Sequence, residues 1–166
     1  KKAVASAHLI IYRQGKVYQF CKFTSVLWHD GFSSWKNIIG MNSHSIGIEL
    51  TNLGRVSKPD GAVYKTHKNE SKPAWWQTYT EIQIITLEVV TEALDLAYRF
   101  KDILGHEDIS KGRKSDPGPA FPWEEVKPKR FSLPVPSVAN EFKTTSDLNI
   151  ALANCASIFL HIKKCL

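Results

Sequence analysis

The residues best equipped for chemistry lie in one run, residues 105–123, GHEDISKGRKSDPGPAFPW. It contains His106, Lys114 and Asp116 and ends in Gly/Pro-rich turn chemistry. An imidazole and a carboxylate are ordinary zinc ligands, and a lysine two residues before the carboxylate can meet charge developing beside the metal. His106 and Asp116 are ten positions apart, so no single helical face presents both. Only a loop that folds back brings them together, and Gly112, Pro117, Gly118 and Pro119 supply its turns. The competing reading is a pair of unrelated surface groups beside a solvated basic cluster, Lys111, Arg113 and Lys114.

A second candidate is Glu49, an acid inside the apolar run SIGIEL. In a strand, Ile46, Ile48 and Leu50 share one face, and Glu49 shares the other with Gly47 and Thr51. Small neighbours are what a cleft floor needs. Burial disfavours a charged carboxylate and a nearby zinc ion favours it, so such a position is tunable for proton transfer. The plain alternative is a strand glutamate facing solvent.

These residues need elements to hold them. Residues 8–12 (HLIIY) and 16–20 (KVYQF), with a turn at Gln14 and Gly15, read as a β-hairpin. Residues 45–51 read as a central strand. Residues 52–77 lack a steady period and are rich in Lys, Pro, Asn and Gly, which predicts a long loop. Thr80 followed by Gln83 fits a capping box opening a helix. Ile82, Ile85, Val89, Ala93, Leu96, Phe100 and Ile103 would be its buried stripe and Gly105 its stop, with His106 just beyond. Residues 124–136, with three prolines, read as an extended wrapping segment. From Asp147 onward, Leu148, Leu152, Cys155, Phe159 and Ile162 predict a C-terminal helix.

Four motifs, in order, resemble the zinc-dependent N-acetylmuramoyl-L-alanine amidases, the family that shares its fold with the peptidoglycan-recognition proteins. SAHLIIYRQGKVYQF is similar to that family's Ser-Ala-His hairpin, and LWHDGFSSW to its Trp-His-Ala-Gly loop. NSHSIGIELTN is similar to the strand bearing its catalytic glutamate, and residues 105–123 to its second and third zinc ligands with the intervening lysine. The resemblance covers about residues 4–123. It implies an α/β fold, a mixed central β-sheet flanked by helices with the site in a groove above it.

The resemblance also implies a mechanism. Zn2+ would sit on His106 and Asp116 and assist hydrolysis of the amide joining N-acetylmuramic acid to L-alanine in peptidoglycan or a muropeptide. Glu49 would take a proton from water and pass it to the leaving amine, and Lys114 would stabilise the oxyanion. His29 and Asn42 match positions that touch substrate, with loop-fixing as the alternative for both. Arg113 is a candidate to hold a substrate carboxylate. Trp28 and Trp35 either stack on sugar or hold their loop. The alternative function is a module that binds muropeptide without cutting it.

One departure stands out. The family's first zinc ligand is a histidine on a strand upstream of the Ser-Ala-His hairpin, and only seven residues precede His8 here. His8 matches a position that is not a ligand; His44, His67 and His161 match no site position. The third ligand is thus not identifiable in this chain, and an N-terminal strand is expected to be missing from it. Zinc on two protein ligands would be weakly held.

Length suits one core, with an amidase domain at residues 1–131 and a C-terminal extension with a helix at residues 132–166. The net charge of +6 favours an anionic partner, such as nucleic acid, anionic lipid or an acidic wall polymer. No basic run has the density of a nucleic-acid arm, and no apolar stretch is long enough to span a bilayer. Cys21, Cys155 and Cys165 form neither a metal knuckle nor an even disulfide framework. The FPW ending and the long 52–77 segment lean toward a bacterial cell-envelope or periplasmic amidase, with a cytoplasmic recycling form as the alternative.

Overall fold

The computed structural model describes residues 6–126 and the backbone of one later strand, Ile158–Lys163. A hairpin of β1 (Leu9–Ile11) and β2 (Val17–Gln19) opens the chain, as its alternation predicts. β1 pairs in parallel with β5 (Ser45–Leu50), setting Ile10 opposite Glu49. On the other side of β5 lies the late strand, β10 (Ile158–Lys163), antiparallel, followed by β9 (Ile103–Gly105). The central sheet is therefore mixed, with the order β2-β1-β5-β10-β9.

One face of this sheet is covered by helix α1 (Glu81–Tyr98). Ile46, Ile48 and Leu50 of β5 join Leu9 and Ile11 of β1 against Ile84, Leu87 and Leu94 of the helix. Each such side chain contributes about 1.5–3 kcal/mol of burial, so this layer is the main source of stability. The Thr80 hydroxyl caps the helix by accepting from the Gln83 N–H at 3.3 Å. The other half of the expected capping box is not made. The Gln83 amide reaches the carbonyls of Ile11 and Thr51 instead, at 3.0 and 3.2 Å, and ties the helix to the ends of two strands.

Three expectations are corrected here. The stripe Ile82, Ile85, Val89 and Leu96 does not face the core; those residues are 41–53 % exposed. The buried face is Gln83, Ile84, Leu87, Thr91 and Leu94. The period was right, but this segment is apolar on two faces. The inward face includes the polar groups that can be satisfied there: Gln83 on strand carbonyls, and Thr91 on the Leu87 carbonyl at 2.8 Å. The helix also stops at Tyr98, with Arg99 in the left-handed conformation as its cap, so Ile103 and Gly105 belong to β9.

Residues 52–77 are not a bare loop. They hold a small antiparallel sheet of β6 (Arg55–Val56), β7 (Ala62–Thr66) and β8 (Pro73–Gln77), in the order β6-β8-β7. Its aromatic residues pair across strands, Tyr64 with Trp75, which a period search over polar loop residues does not register.

The third correction concerns the C-terminal helix. Residues 158–163 form a strand, and the earlier part of the expected helix lies outside the described residues, as does most of the 124–136 segment. IFLHIK has β-branched and aromatic residues, and β5 and β9 offer it a complete hydrogen-bonding partner on each side. Two flanking strands with open edges outweigh a weak helical period.

Candidate active site

The site forms on the sheet face opposite α1, where alternation on β5 sends Gly47 and Glu49. Glu49 is 1 % exposed. Gly47 has a steric role: a Cβ there would lie 2.7 Å from Cγ of the His29 ring. Glycine thus lets the 24–35 loop lay an imidazole flat on the sheet. His29 Nδ1 is 2.6 Å from Asp30 Oδ1, and both side chains are buried. Asn42, on the 3-10 turn Met41–Ser43, holds this loop by accepting from the His29 and Asp30 N–H groups, each at 2.9 Å.

His8 is a structural tie. Its Nδ1 accepts from the Gly47 N–H at 3.0 Å, so its Nε2–H donates to the Ser25 carbonyl, also at 3.0 Å. Trp35 holds its loop by donating from the indole to Asp102 at 3.0 Å. Trp28 lies exposed at the surface.

β9 runs straight into α2 (His106–Ile109), which places His106 at the junction of the sheet and the 110–121 loop. That loop folds back, and His106 Nδ1 comes to 2.5 Å from Asp116 Oδ2. The backbone completes the clasp, with the Glu107 N–H donating to the Asp116 carbonyl at 2.9 Å. On the far side of the ring, His106 Nε2 lies 3.0 Å from the His29 carbonyl. A carbonyl only accepts, so Nε2 carries the proton. In a neutral imidazole, Nδ1 then presents a lone pair to the carboxylate. Two acceptors 2.5 Å apart are held only by a shared proton or a cation. A ring whose second nitrogen donates to a backbone carbonyl is also how metal-binding histidines are oriented. The donor set therefore fits a zinc ion.

Lys114 and Arg113 sit on the same loop, held by N–H donation to the Ser110 carbonyl at 3.1 and 3.0 Å. Arg113 Nη2 donates to the carbonyls of Asp30 and Phe32 and to Ser110 Oγ, at 2.6, 2.9 and 2.7 Å. It pins the 24–35 loop to the 110–121 loop.

A further layer escaped the sequence. His67 Nδ1 accepts from the Asn69 N–H, so its Nε2–H donates to buried Glu107 at 2.7 Å. Lys68 joins Glu107 and Asp108 at 2.8 and 2.6 Å. Burial opposes the Lys68 charge, but the two carboxylates outweigh it and raise its pKa. The end of β7 thereby grips α2 and fixes the residue after His106. The partners are forty positions apart, and no local pattern announces them.

Tyr79 supports the loop from below, donating to the Pro117 carbonyl at 2.9 Å. Burial first, then the negative charges of Asp116 and Glu107, push its phenol well above the ordinary value of about 10. The fold therefore keeps a proton that the unfolded chain loses once pH passes about 10, and stability falls as pH rises above that point. In an ultraviolet alkaline titration, one of the five tyrosines should stay protonated until the fold opens. Tyr79→Phe should remove that late step; a late step unchanged in the variant would place it elsewhere.

The N-acetylmuramoyl-L-alanine amidase family model matches residues 1–119. The chain belongs to this family. It is 35% identical over 120 residues to the 1,6-anhydro-N-acetylmuramyl-L-alanine amidase AmpD of Escherichia coli K12, covering 71% of this chain and 54% of that protein. Among solved structures it is similar to AMPDH3 of Pseudomonas aeruginosa in complex with anhydromuramic pentapeptide. The TM-score there is 0.60 and the identity 31%, covering 75% of this chain and 50% of that one. It is also similar to the amidase AmiD of E. coli in complex with anhydro-N-acetylmuramic acid-L-Ala-D-gamma-Glu-L-Lys. That match has a TM-score of 0.58 and 26% identity, covering 74% and 46%. The fold is that of the family's amidases. The chain spans about half the length of these relatives. No helix among the described residues is long and apolar enough to cross a membrane.

Proposed function

We propose that this family member hydrolyses the N-acetylmuramoyl–L-alanine amide of peptidoglycan or its muropeptides, with zinc held by His106 through Nδ1 and Asp116 through Oδ2. The observation that carries the reading is the facing of those two lone-pair atoms while Nε2–H is occupied by the His29 carbonyl. Bound zinc would supply a Lewis acid for the amide carbonyl and an acidified water. Glu49, from the sheet floor, takes a proton from water on its carboxylate and delivers it to the leaving nitrogen of L-alanine. The Lys114 ammonium sits two residues before Asp116 and stabilises negative charge on the carbonyl oxygen. Asn42 spends its Oδ1 on the loop backbone, which leaves the Nδ2 end of the same amide as a donor to ligand. His29 lines the floor and Arg113 the rim, where the guanidinium's outer edge takes a substrate carboxylate. An envelope location goes with a net charge of +6, which draws the protein toward an anionic wall.

The test supplies zinc and a muramyl-L-alanine peptide and follows release of the peptide with a free alanine amine. Cleavage that disappears with chelator and returns with zinc is the expected result. Tight binding of the muropeptide with no cleavage at any zinc level would replace this reading with a binding module.

A further inference from the structure

Residues 52–77 hold five lysines or arginines and two acids, a net charge of +3 and half of the chain's +6. Two of the five are spent inside the fold, Arg55 on Glu70 and Lys68 on Glu107 and Asp108. Lys58, Lys65 and Lys72 are exposed and make no ion pair among the described residues. Lys58 lies in the β6–β7 connection, two residues from Asp60, and Lys72 in the β7–β8 connection; Lys65 is on β7, an edge strand.

These charges frame an aromatic face. Alternation along β8 sends its two tryptophans to opposite sides of the small sheet. Trp76 goes inward and is 3 % exposed. It stacks on His67 and lies so close to Gly118 that a Cβ there would meet its ring at 2.8 Å. Trp75 goes outward, in register with Tyr64 on β7 and Val56 on β6, so one row crosses all three strands. The Tyr64 and Trp75 rings are 4.9 Å apart at 44°, and Tyr64 is 57 % exposed. Neither ring belongs to a core cluster of the described residues. The row is also fixed in place. Tyr64 is three residues, roughly 10 Å of strand, from His67, which is bonded to Glu107 beside His106. It faces away from the 110–121 loop, because Trp76 faces it.

We propose that this outer face is a second carbohydrate site, which holds a glycan strand of intact peptidoglycan while the cleft works on its peptide stems. The identity of the polymer rests on the hydrolysis proposed above; the binding itself uses neither metal nor Glu49. An aromatic ring offers a flat apolar face and, in tyrosine, a polar tip, which suits the C–H face and hydroxyl rim of a pyranose. The lysines around the pair repel a cation, the other usual guest of aromatic faces. They attract the carboxylates that peptide stems set along a wall polymer. The substrate this favours is the polymer over a free muropeptide, since a fragment bound in the cleft does not reach the outer face.

The test measures co-sedimentation with insoluble peptidoglycan and, separately, cleavage of a soluble muramyl-L-alanine peptide. Sedimentation is run in a Glu49→Gln background so that the polymer is not consumed. Tyr64→Ala should weaken sedimentation about 2–10-fold, and Tyr64→Phe should keep it. Lys58→Glu with Lys72→Glu should weaken it and flatten its salt dependence. With Glu49 in place, all of these variants should cleave the soluble peptide like the unsubstituted chain. Tyr64 is the ring to remove because it is mostly exposed, whereas Trp75→Ala would open the small sheet and loosen the His67 grip. Sedimentation unchanged by Tyr64→Ala overturns the inference even where the lysine reversals weaken it, because charge alone needs no site. An equal loss of soluble-peptide cleavage also overturns it and makes the face a structural prop. Ring-dependent binding of a single-stranded oligonucleotide, with none to the wall, overturns it and assigns the face to nucleic acid. Ring-dependent sedimentation without cleavage of either substrate sinks the proposed hydrolysis and leaves this site standing.

Discussion

Replacing Glu49 by alanine should lower turnover on a muramyl-L-alanine peptide by about 10²–10⁴-fold while zinc stays bound, and Lys114→Ala should do the same. The expectation starts from strand alternation. Ile46, Ile48 and Leu50 are committed to the α1 layer, so the intervening carboxylate is delivered to the opposite face, where it is 1 % exposed. A buried carboxylate on that face is placed to move a proton. Lys114 is carried by the same loop as Asp116, so its charge tracks the metal candidate without contributing a ligand. Turnover and zinc content should therefore part company in both variants. Glu49→Gln is the sharper form, because it keeps volume and removes only the acid. Turnover and zinc stoichiometry are measured on the same samples. Undiminished cleavage in either variant removes that residue from the mechanism, and loss of zinc in Glu49→Gln would make the carboxylate a ligand.

What could be read from the sequence follows a physical division. Features set by local rules came through: the β1–β2 hairpin, β5 with its two faces, and the Thr80 cap. So did the need for the 105–123 run to fold back, because a His and an Asp ten apart can meet only that way. Features set by competition between distant parts did not. The face that α1 buries was decided by Gln83 finding carbonyls on two strands, which no helical wheel contains. The β6–β8–β7 sheet was hidden by its polar and proline content, since cross-strand aromatic pairs rather than alternation hold it.

The candidate site divides the same way. The meeting of His106 with Asp116 and the placement of Glu49 beside Gly47 were legible because local geometry constrains each position. The His67–Glu107 grip was not, because it joins elements forty positions apart. The late strand β10 illustrates the same limit from the other side. In isolation IFLHIK closes a helical stripe, and only the open edges of β5 and β9 turn it into a strand.

Gly105→Ala should cost stability and metal together. Gly105 has ordinary negative φ, so alanine carries no backbone penalty there and the loss is steric. A Cβ would stand 2.3 Å from Pro117 Cδ, 3.2 Å from the Trp123 ring and 3.3 Å from the Asp116 carbonyl. None of these is the far end of a flexible side chain, so residues 116–117 must back away from β9. That movement breaks the Glu107 N–H to Asp116 carbonyl bond and draws the Asp116 carboxylate off His106. Overpacking of this kind costs about 1–3 kcal/mol, and the rigid neighbours put it near the top. At about 2–4 °C per kcal/mol for a chain of this size, Tm should drop by roughly 6–12 °C. Zinc affinity should fall in the same variant. Gly112→Ala is the comparison, because nothing lies within 4 Å of a Cβ there and only the positive-φ cost of roughly 1–2 kcal/mol applies. It should lose stability with zinc affinity nearly intact. Calorimetry and zinc titration on the two variants separate the cases: a Gly105→Ala protein that melts like the unsubstituted chain and binds zinc as well would mean that the tight approach of Pro117 to β9 does not hold the two ligands together.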